Sequence, residues 1–369
     1  MTGIESLDAV GLFTLKTDRK IVMSNFIQKK AQRFSVSAIA GAFSLAAVCA
    51  LGLAGNTAMA KEYKMKLATA TVNDVQTEAI KRLAKRIEER SEGRIKTELY
   101  PAAQLGSNTR MIEGLQFGTI EFYTGPAAYL VGVDSRYQAM DVPGVFKDAR
   151  HAQRTFSDPE FREYFMAMGE NKGLVGLGMY IYGNTAFTTA FEGKTLADFQ
   201  GKKVRVLASR IERKGAELMG ATAVPVDFSE MVTALQQGTI DGIKSSPPAF
   251  TSLKLYNIVN NITATEDGVM GEVMLASKVW WDTLPDDLKA IVKEEAVALE
   301  PELYDFVLQD QANAYKTWQE QGGKVFHLPE DERTKLLENM KQATIELMAE
   351  NKSNAEVMDL TLKVAERVK

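Results

Sequence analysis

The order of apolar and polar residues beyond residue 60 alternates between strand and helix patterns. Residues 63–70 alternate as a half-buried strand does, and residues 74–90 carry apolar side chains at helical spacing. Residues 94–100 predict the next strand, and the polar cluster at 106–108 offers the start of another helix. A further strand is predicted at 121–124, so the first half of this region is a succession of strands and helices.

The same order returns in the second half. Strands are predicted at 202–207 and 223–226, each followed by a helix, at 211–219 and 229–237. Ser229 is the predicted N-cap of the last helix, because its hydroxyl can accept from free N–H groups of the first turn. Strands that alternate with helices indicate α/β lobes, each with a mixed sheet flanked by helices.

Two heptapeptides about a third of the chain apart are nearly identical. Residues 115–121 are Leu-Gln-Phe-Gly-Thr-Ile-Glu, and residues 235–241 are Leu-Gln-Gln-Gly-Thr-Ile-Asp. Each ends a short helix and leads into a strand, so the repeat predicts two lobes of similar construction. Clefts between such lobes are preferred sites for small molecules, and capture of a ligand is therefore the expected function.

Helix dominates the chain beyond Pro285. Periodic apolar positions predict long helices at 286–321 and 330–367, with boundaries or kinks at Pro301 and at Gly322-Gly323. These helices are expected to brace one lobe against the other.

The two lobes are expected to exchange chain segments. The first is predicted to contain residues 61–182 and 271–311, and the second residues 183–270 and 312–369. Hinges are predicted where the chain crosses, near Tyr182 to Asn184 and near Glu266 to Gly271.

Residues 1–60 are predicted to be a signal peptide. Three basic residues precede an uncharged, mostly apolar run at 34–55, and an Ala-Met-Ala cleavage motif ends at Ala60. The alternative is a retained membrane anchor, because the run approaches transmembrane length. Acidic residues upstream of Met23 suit a signal peptide badly, so Met23 is the preferred start. We expect a periplasmic protein, cleaved near Ala60.

Charge and cysteine content narrow the class of protein. The chain has 44 Lys and Arg against 48 Asp and Glu, a net charge of −4. Residues 1–60 hold six of the basic and three of the acidic residues, so their removal leaves −7. Such a surface does not attract nucleic acid or anionic lipid. The single cysteine, Cys49, lies in the predicted leader, so the mature chain is expected to lack disulfides.

Motifs for catalysis are not found. His151 and His327 are the only histidines, which leaves no paired-histidine metal motif, and the sequence has neither a Gly-x-Ser-x-Gly elbow nor a Walker phosphate loop. Gly173, Gly176 and Gly178 lie in an apolar strand-like segment without dinucleotide-binding spacing. We predict that the protein is not an enzyme and has no catalytic residue, cofactor or metal.

A set of short motifs in fixed order resembles one known family. The second half contains Gly201-Lys202-Lys203-Val204-Arg205-Val206, Pro225, Phe228-Ser229-Glu230, Ala234-Leu235-Gln236 and Asp241-Gly242 followed by Pro247. Other stretches are Glu92-Gly93-Arg94-Ile95, Tyr100-Pro101, Gln104-Leu105-Gly106, the first heptapeptide and Trp281-x-x-Leu284-Pro285. Together these motifs are similar to the substrate-binding proteins of TRAP (tripartite ATP-independent periplasmic) transporters, of the C4-dicarboxylate-binding, DctP-like type.

The resemblance covers essentially the whole mature chain and implies both fold and function. It implies a type II-like periplasmic binding protein with two lobes that close on an organic acid. The partners implied are that acid and the membrane subunits of a TRAP permease, which an ion gradient drives, and the protein is expected to be monomeric.

The resemblance also points to Arg205 as the residue that holds the acid group. A guanidinium can bind a carboxylate through two parallel hydrogen bonds. From spacing alone, a surface arginine paired with Asp or Glu is the commoner situation, and the family position favours ligand contact. Phe228 matches a family position that packs on the ligand, although core packing alone would also explain it.

Departures from the family pattern bear on the substrate. Many relatives carry Gln-Glu-Asn-Pro after the Asp-Gly pair, where this chain has Ile-Lys-Ser-Ser-Pro, so Ser245 or Ser246 is expected to take the amide's place. A second arginine of several relatives is missing around Thr185. We therefore expect a monocarboxylate, or an acid with a polar or aromatic far end. Tyr182 and Trp281, with Tyr180, are candidate flat walls, although such aromatics are more often core residues.

Two other classes of protein remain open at this point. An exported α/β enzyme acting on a small organic acid would convert the acid that it binds. A periplasmic binding protein linked to a sensor would have a partner other than a permease.

Overall fold

The computed structural model describes residues 61–369, and the predicted leader with Met23 and Ala60 lies outside the described residues. In the described part, no helix combines the length and the apolar character needed to cross a bilayer.

Eleven strands form within residues 61–369. In chain order they are β1 (Tyr63–Ala68), β2 (Ile95–Tyr100), β3 (Phe122–Pro126), β4 (Leu174–Asn184), β5 (Ala186–Thr189), β6 (Lys203–Val206), β7 (Thr222–Pro225), β8 (Gly242–Ser245), β9 (Asn261–Ala264), β10 (Val269–Ser277) and β11 (Lys324–His327).

The α-helices in the same range are α1 (Val75–Arg90), α2 (Asn108–Phe117), α3 (Ala149–Ser157), α4 (Pro159–Ala167), α5 (Arg210–Leu218), α6 (Met231–Gln236), α7 (Pro247–Ser252), α8 (Lys278–Trp281), α9 (Asp286–Glu320), α10 (Glu330–Ala349) and α11 (Lys352–Arg367). Short 3-10 turns include Ala127–Leu130 and Ser135–Met140.

The strands form two sheets with the same internal plan. The first has the order β2-β1-β3-β10-β4 and the second the order β11-β9-β5-β8-β6-β7. In the first, β2, β1 and β3 are parallel, and β10 and β4 follow in antiparallel pairings. In the second, β7, β6 and β8 are parallel, and β5 and β9 follow in the same way. Each lobe is therefore built around a mixed sheet.

The heptapeptide repeat performs the same structural task in both lobes. Gly118 and Gly238 adopt left-handed φ values of 74° and 68°, where a side chain would be strained, and each turns the chain from a helix toward a strand. The acid at the end of each copy then accepts from the neighbouring strand: Glu121 Oε2 from the backbone N–H of Lys66, and Asp241 Oδ2 from that of Lys203, both at 2.8 Å. The two-lobe inference from the repeat is confirmed by this equivalence.

The chain crosses between the sheets three times, and two of the crossings, β4 to β5 and β9 to β10, lie side by side. The backbone N–H of Thr185, between β4 and β5, donates to Gly268 O at 3.0 Å, and Glu266 N donates to Thr185 O at 3.0 Å. The Thr185 hydroxyl also donates to Asp267 Oδ1 at 2.9 Å. Two connecting segments are thus joined into one hydrogen-bonded unit, at the positions where hinges are predicted.

Helix α9 continues through Pro301 and belongs to both lobes. It has 35 residues, about 52 Å at 1.5 Å per residue. It packs on α1 and β4 of the first lobe and on α7 of the second. Pro301 is therefore not a helix boundary, and a kink there stays a prediction, whereas the boundary at Gly322-Gly323 is confirmed.

The last two helices attach to different lobes. Helix α10 packs on α5, and α11 packs on α3, α4 and the 3-10 turn at 135–140. Val357, Met358 and Val364 of α11 join the core that includes Phe156. The division of the chain into lobes stays a prediction, and this packing favours counting 352–367 with the first lobe.

The predicted N-cap role of Ser229 is wrong. Helix α6 begins at Met231 without a side-chain cap. The backbone N–H and the hydroxyl of Ser229 both donate to Asp227 Oδ1, at 3.0 and 2.9 Å. This local turn around an aspartate competes with the helix for the serine side chain.

A buried carboxyl near the crossing makes stability depend on pH. Asp141 Oδ1 accepts from Gly271 N–H at 3.0 Å, and its Oδ2 has no partner within residues 61–369. Burial raises the pKa of Asp141 to about 8. Unfolding releases this proton between the ordinary pKa and about 8, so stability falls as pH rises through that range. The expected slope is up to about 1.4 kcal/mol per pH unit.

Asp141→Asn should remove the contribution of Asp141 to the pH dependence of the free energy of unfolding. Urea unfolding at pH 5.5 to 8.5 measures it, with Asp359→Asn on the exposed face of α11 as the control. A slope unchanged by Asp141→Asn would show that the unpartnered carboxyl is ionised in the folded protein.

Candidate functional site

A cavity lies between the two sheets. The residues that line it come from both lobes and are Ala70, Thr71, Gln76, Asn108, Pro126, Tyr129, Tyr182, Arg205, Leu207, Phe228, Ser245 and Met270. Many of them stand at or just beyond the carboxyl ends of the parallel strands β1, β3, β6, β7 and β8, where open α/β sheets bind their ligands.

Among residues 61–369, Arg205 is the only charged residue that lines this cavity. It lies in β6 and is 1% exposed. Its Nε donates to Val226 O at 2.9 Å, its Nη1 to Lys244 O at 3.1 Å and its Nη2 to the Tyr129 hydroxyl at 2.8 Å. These three bonds fix the plane of the guanidinium.

The guanidinium has binding capacity left. Of the five N–H groups of an arginine, three are used, and each terminal nitrogen of Arg205 keeps one N–H that has no partner in the described chain. Arg205 also makes no ion pair with an Asp or Glu of residues 61–369. A buried charge is normally paired, so the arrangement suits an anion that comes from outside the chain.

Neutral polar side chains supply other parts of the wall. The amide of Gln76 contacts the hydroxyls of Thr69 and Thr71, and Asn108 Oδ1 accepts from the Tyr123 hydroxyl at 2.8 Å. These side chains can hydrogen-bond uncharged oxygen or nitrogen atoms of a ligand. They offer no second positive charge.

Two acids lie behind this neutral wall. Asp74 accepts from the Tyr182 hydroxyl at 2.7 Å and from Thr71 at 2.8 Å, and burial raises its pKa. Glu272 in β10 is fully buried, and both of its carboxyl oxygens lack a partner among the described residues. Burial, with Asp74 and Asp141 nearby, raises the pKa of Glu272 well above its usual value, which favours the neutral acid.

Four of the seven predicted ligand residues are brought together. Arg205, Phe228, Ser245 and Tyr182 line the cavity. The backbone N–H of Phe228 donates to the Tyr129 hydroxyl at 3.1 Å. The hydroxyl of Tyr182 is held by Asp74, so the ring is the part that it presents.

The other three predicted residues lie elsewhere. Ser246 is fully buried beside Gly183, and its hydroxyl has no partner within 61–369. The Thr185 hydroxyl is bound to Asp267 in the crossing. Trp281 lies in α8 with Lys278 and Lys289 in a separate groove of the first lobe. Ser246, Thr185 and Trp281 do not line the cavity.

Several lining residues were missed from the sequence. Tyr129, Asn108, Thr71 and Gln76 carry no charge and belong to no motif that stands out. A signal was available, because Thr71 and Tyr129 closely follow the predicted strands at 63–70 and 121–124, and the ends of such strands converge on the ligand.

Metal ligation finds no support in the part of the chain described. Within residues 61–369, no three or more His, Cys, Asp or Glu side chains are grouped so that they could hold a metal ion.

The two similar sheets, the helix that joins them and the cavity with its unpaired arginine define a two-lobed solute-binding protein. Residues 68–351 match the model of the bacterial extracellular solute-binding proteins, family 7 (DctP), and the chain belongs to this family. The resemblance identified from the motifs and the predicted fold class are thereby confirmed.

Relatives and solved structures agree with this assignment. The sialic acid-binding periplasmic protein SiaP of Vibrio cholerae is 29% identical over 248 residues, 67% of this chain and 77% of its own. The 2,3-diketo-L-gulonate-binding periplasmic protein YiaO of Escherichia coli is 25% identical over 278 residues, 75% of this chain and 78% of its own. A TRAP periplasmic solute-binding protein of Desulfovibrio salexigens, solved with orotic acid, superposes with a TM-score of 0.80 at 25% identity, over 84% of this chain and 100% of that one.

Proposed function

We propose that this protein captures a monocarboxylic acid between its lobes and delivers it to a TRAP permease. The proposal rests on the observation that Arg205 is a buried arginine without an ion-pair partner. Arg205 is 1% exposed, lines the cavity and has no carboxylate partner in residues 61–369. Its two remaining N–H groups match the two oxygens of a carboxylate.

The rest of the wall supports an acid with one charge. Thr71, Gln76, Asn108 and Ser245 are neutral, and Leu207, Phe228 and Met270 add apolar area. A second carboxylate would be buried there without a cation, at a large cost in free energy. The relative from Desulfovibrio salexigens was solved with orotic acid, which has one carboxylic acid on a flat polar ring.

The side chains that line the cavity favour binding of the acid without a chemical reaction. Among residues 61–369, the lining includes no His, Asp, Glu, Lys or Cys, so the hydroxyls of Ser245 and Thr71 have no base in the lining to activate them as nucleophiles. We propose that the bound acid is released unaltered. Separately, we propose that the protein is a monomer and that it is exported with a leader cleaved near Ala60.

A thermal-shift screen tests the proposal. Monocarboxylates such as lactate, pyruvate, galactonate and orotate are compared with succinate, fumarate and malate, and with the primary amides of the monoacids as uncharged controls. A ligand at 100 times its dissociation constant stabilises the folded protein by about 2.7 kcal/mol. We expect larger shifts with one or more monoacids than with their amides, which lack the charge that pairs with Arg205. Tight binding of the dicarboxylates alone would reject the assignment of a monoacid.

A further inference from the structure

Tyr129 connects the two lobes through its hydroxyl group. It lies in the 3-10 turn Ala127–Leu130 that follows β3 of the first sheet. Its Oη is 2.8 Å from Arg205 Nη2 and 3.1 Å from the backbone nitrogen of Phe228. Arg205 belongs to the second sheet and Phe228 follows β7 of that sheet, so these bonds run from one lobe to the other.

The hydroxyl proton of Tyr129 has no hydrogen-bond acceptor among residues 61–369. A tyrosine hydroxyl has two acceptor lone pairs and one O–H donor. Both neighbours of the Tyr129 oxygen are N–H groups, which can only donate, so they occupy the lone pairs. The hydroxyl proton therefore points elsewhere, and no acceptor for it exists among residues 61–369. Tyr129 lines the same cavity as Arg205.

We propose that the Tyr129 hydroxyl donates to the carboxylate of the bound acid, beside the two free N–H groups of Arg205. The inference rests on the proposed function, because it assigns a further residue to the same site. A carboxylate has about four acceptor positions on its two oxygens, enough for all three donors. One group of the first lobe would then contact the anion that the second lobe holds.

The hydroxyl keeps its proton under ordinary conditions. Burial raises the pKa of Tyr129 to about 12, although the charge of Arg205 opposes that rise. Tyr129 is therefore a donor throughout the neutral pH range. Because its contact with the acid requires the lobes to be together, the acid gains affinity for the closed form, and closure follows from that difference.

Tyr129→Phe tests the inference, because it removes the O–H and keeps the ring. Isothermal titration calorimetry gives the dissociation constants of lactate, pyruvate, galactonate and orotate, and of their primary amides, for the unmodified protein and the variant. Hydrogen bonds to charged groups predict roughly 10- to 100-fold weaker binding of the acids. The carbonyl oxygen of an amide is neutral and accepts a weaker hydrogen bond than a carboxylate does, so binding of the amides should change by less.

Tyr180→Phe is the matched control. The Tyr180 hydroxyl is buried in the first lobe, 2.7 Å from Thr124 Oγ1, and does not line the cavity. This variant should bind the acids as the unmodified protein does. Melting of both ligand-free variants, followed by circular dichroism, checks that they are folded.

The outcomes separate the inference from the proposed function. Unchanged acid affinity in Tyr129→Phe overturns the inference and leaves the proposed function standing. An equal loss of affinity for an acid and its amide has the same consequence, because it indicates that Tyr129 acts by packing. If the unmodified protein binds none of the acids, the proposed function itself is rejected and the role of Tyr129 with it.

Discussion

Replacing Lys244 by methionine is expected to lower the free energy of unfolding by about 3–5 kcal/mol. Lys244 is 3% exposed, and its Nζ lies 2.6 Å from Asp267 Oδ2 and 3.2 Å from Glu212 Oε1. Methionine fills similar space without a charge, so two carboxylates would be left in the interior without their cation. Burial alone would lower the pKa of Lys244, but Asp267 and Glu212 raise it above its usual value, which keeps the ammonium charged at neutral pH.

Urea unfolding at pH 7 measures this loss. Lys203→Met, on the adjacent strand β6, is the matched control, because Lys203 is exposed. A surface substitution of this kind changes stability by about 0.5 kcal/mol or less. Equal stability of the Lys244 and Lys203 variants would show that the buried ions contribute nothing net to folding.

Replacing Arg205 by alanine is expected to remove acid binding. Truncating one partner of a buried, hydrogen-bonded charge pair costs about 2–5 kcal/mol, or roughly 30- to 4000-fold in the dissociation constant. The variant also loses the three bonds that Arg205 makes to Val226, Lys244 and Tyr129. Arg205→Lys keeps the charge but not the planar pair of donors, so an intermediate loss is expected.

Calorimetric titration of the acid identified by the screen measures both variants. Arg210→Ala is the control, because Arg210 is an exposed arginine of α5 that pairs with Glu350 at 2.6 Å and does not line the cavity. If Arg205→Ala bound the acid as tightly as the Arg210 variant, the central role of Arg205 in the proposed function would have to be abandoned.

The two-lobe plan was accessible from the sequence because local physics dictates it. A glycine at 118 and at 238 is needed for the left-handed turn, and the acids at 121 and 241 accept from a neighbouring strand. These requirements act over a few residues, so they leave the same short pattern in both lobes.

The assignment of side chains to the cavity was harder, because it depends on contacts between distant segments. Strand alternation sets Arg205 opposite Val204 and Val206, yet it cannot say that Tyr129, 76 positions away, meets the guanidinium. Ser245 and Ser246 are adjacent and point differently, so one lines the cavity and the other is buried beside Gly183. Trp281 has an aromatic side chain that could stack on a ligand, but it lies in another groove of its lobe.

Helix α9 shows the limit of a local rule. Proline usually ends a helix because it lacks an N–H group and crowds the preceding turn. Here the helix runs on past Pro301, and the residue before it is held from outside, since Glu300 accepts from Arg162 Nη1 and from the backbone N–H of Met179, at 2.7 and 2.8 Å. Tertiary packing therefore outweighs the local preference.

The attachment of α11 makes the end of this helix a convenient place for a reporter dye. Arg367 pairs with Asp158 at 2.6 Å and with Glu160 at 2.9 Å, and the Ala365 carbonyl lies 2.7 Å from His151 Nε2. A fluorophore at the end of α11 would thus move with the first lobe. With an acceptor dye on the exposed Lys203 of the second lobe, binding of the acid could be followed in real time as a change in energy transfer between the two dyes.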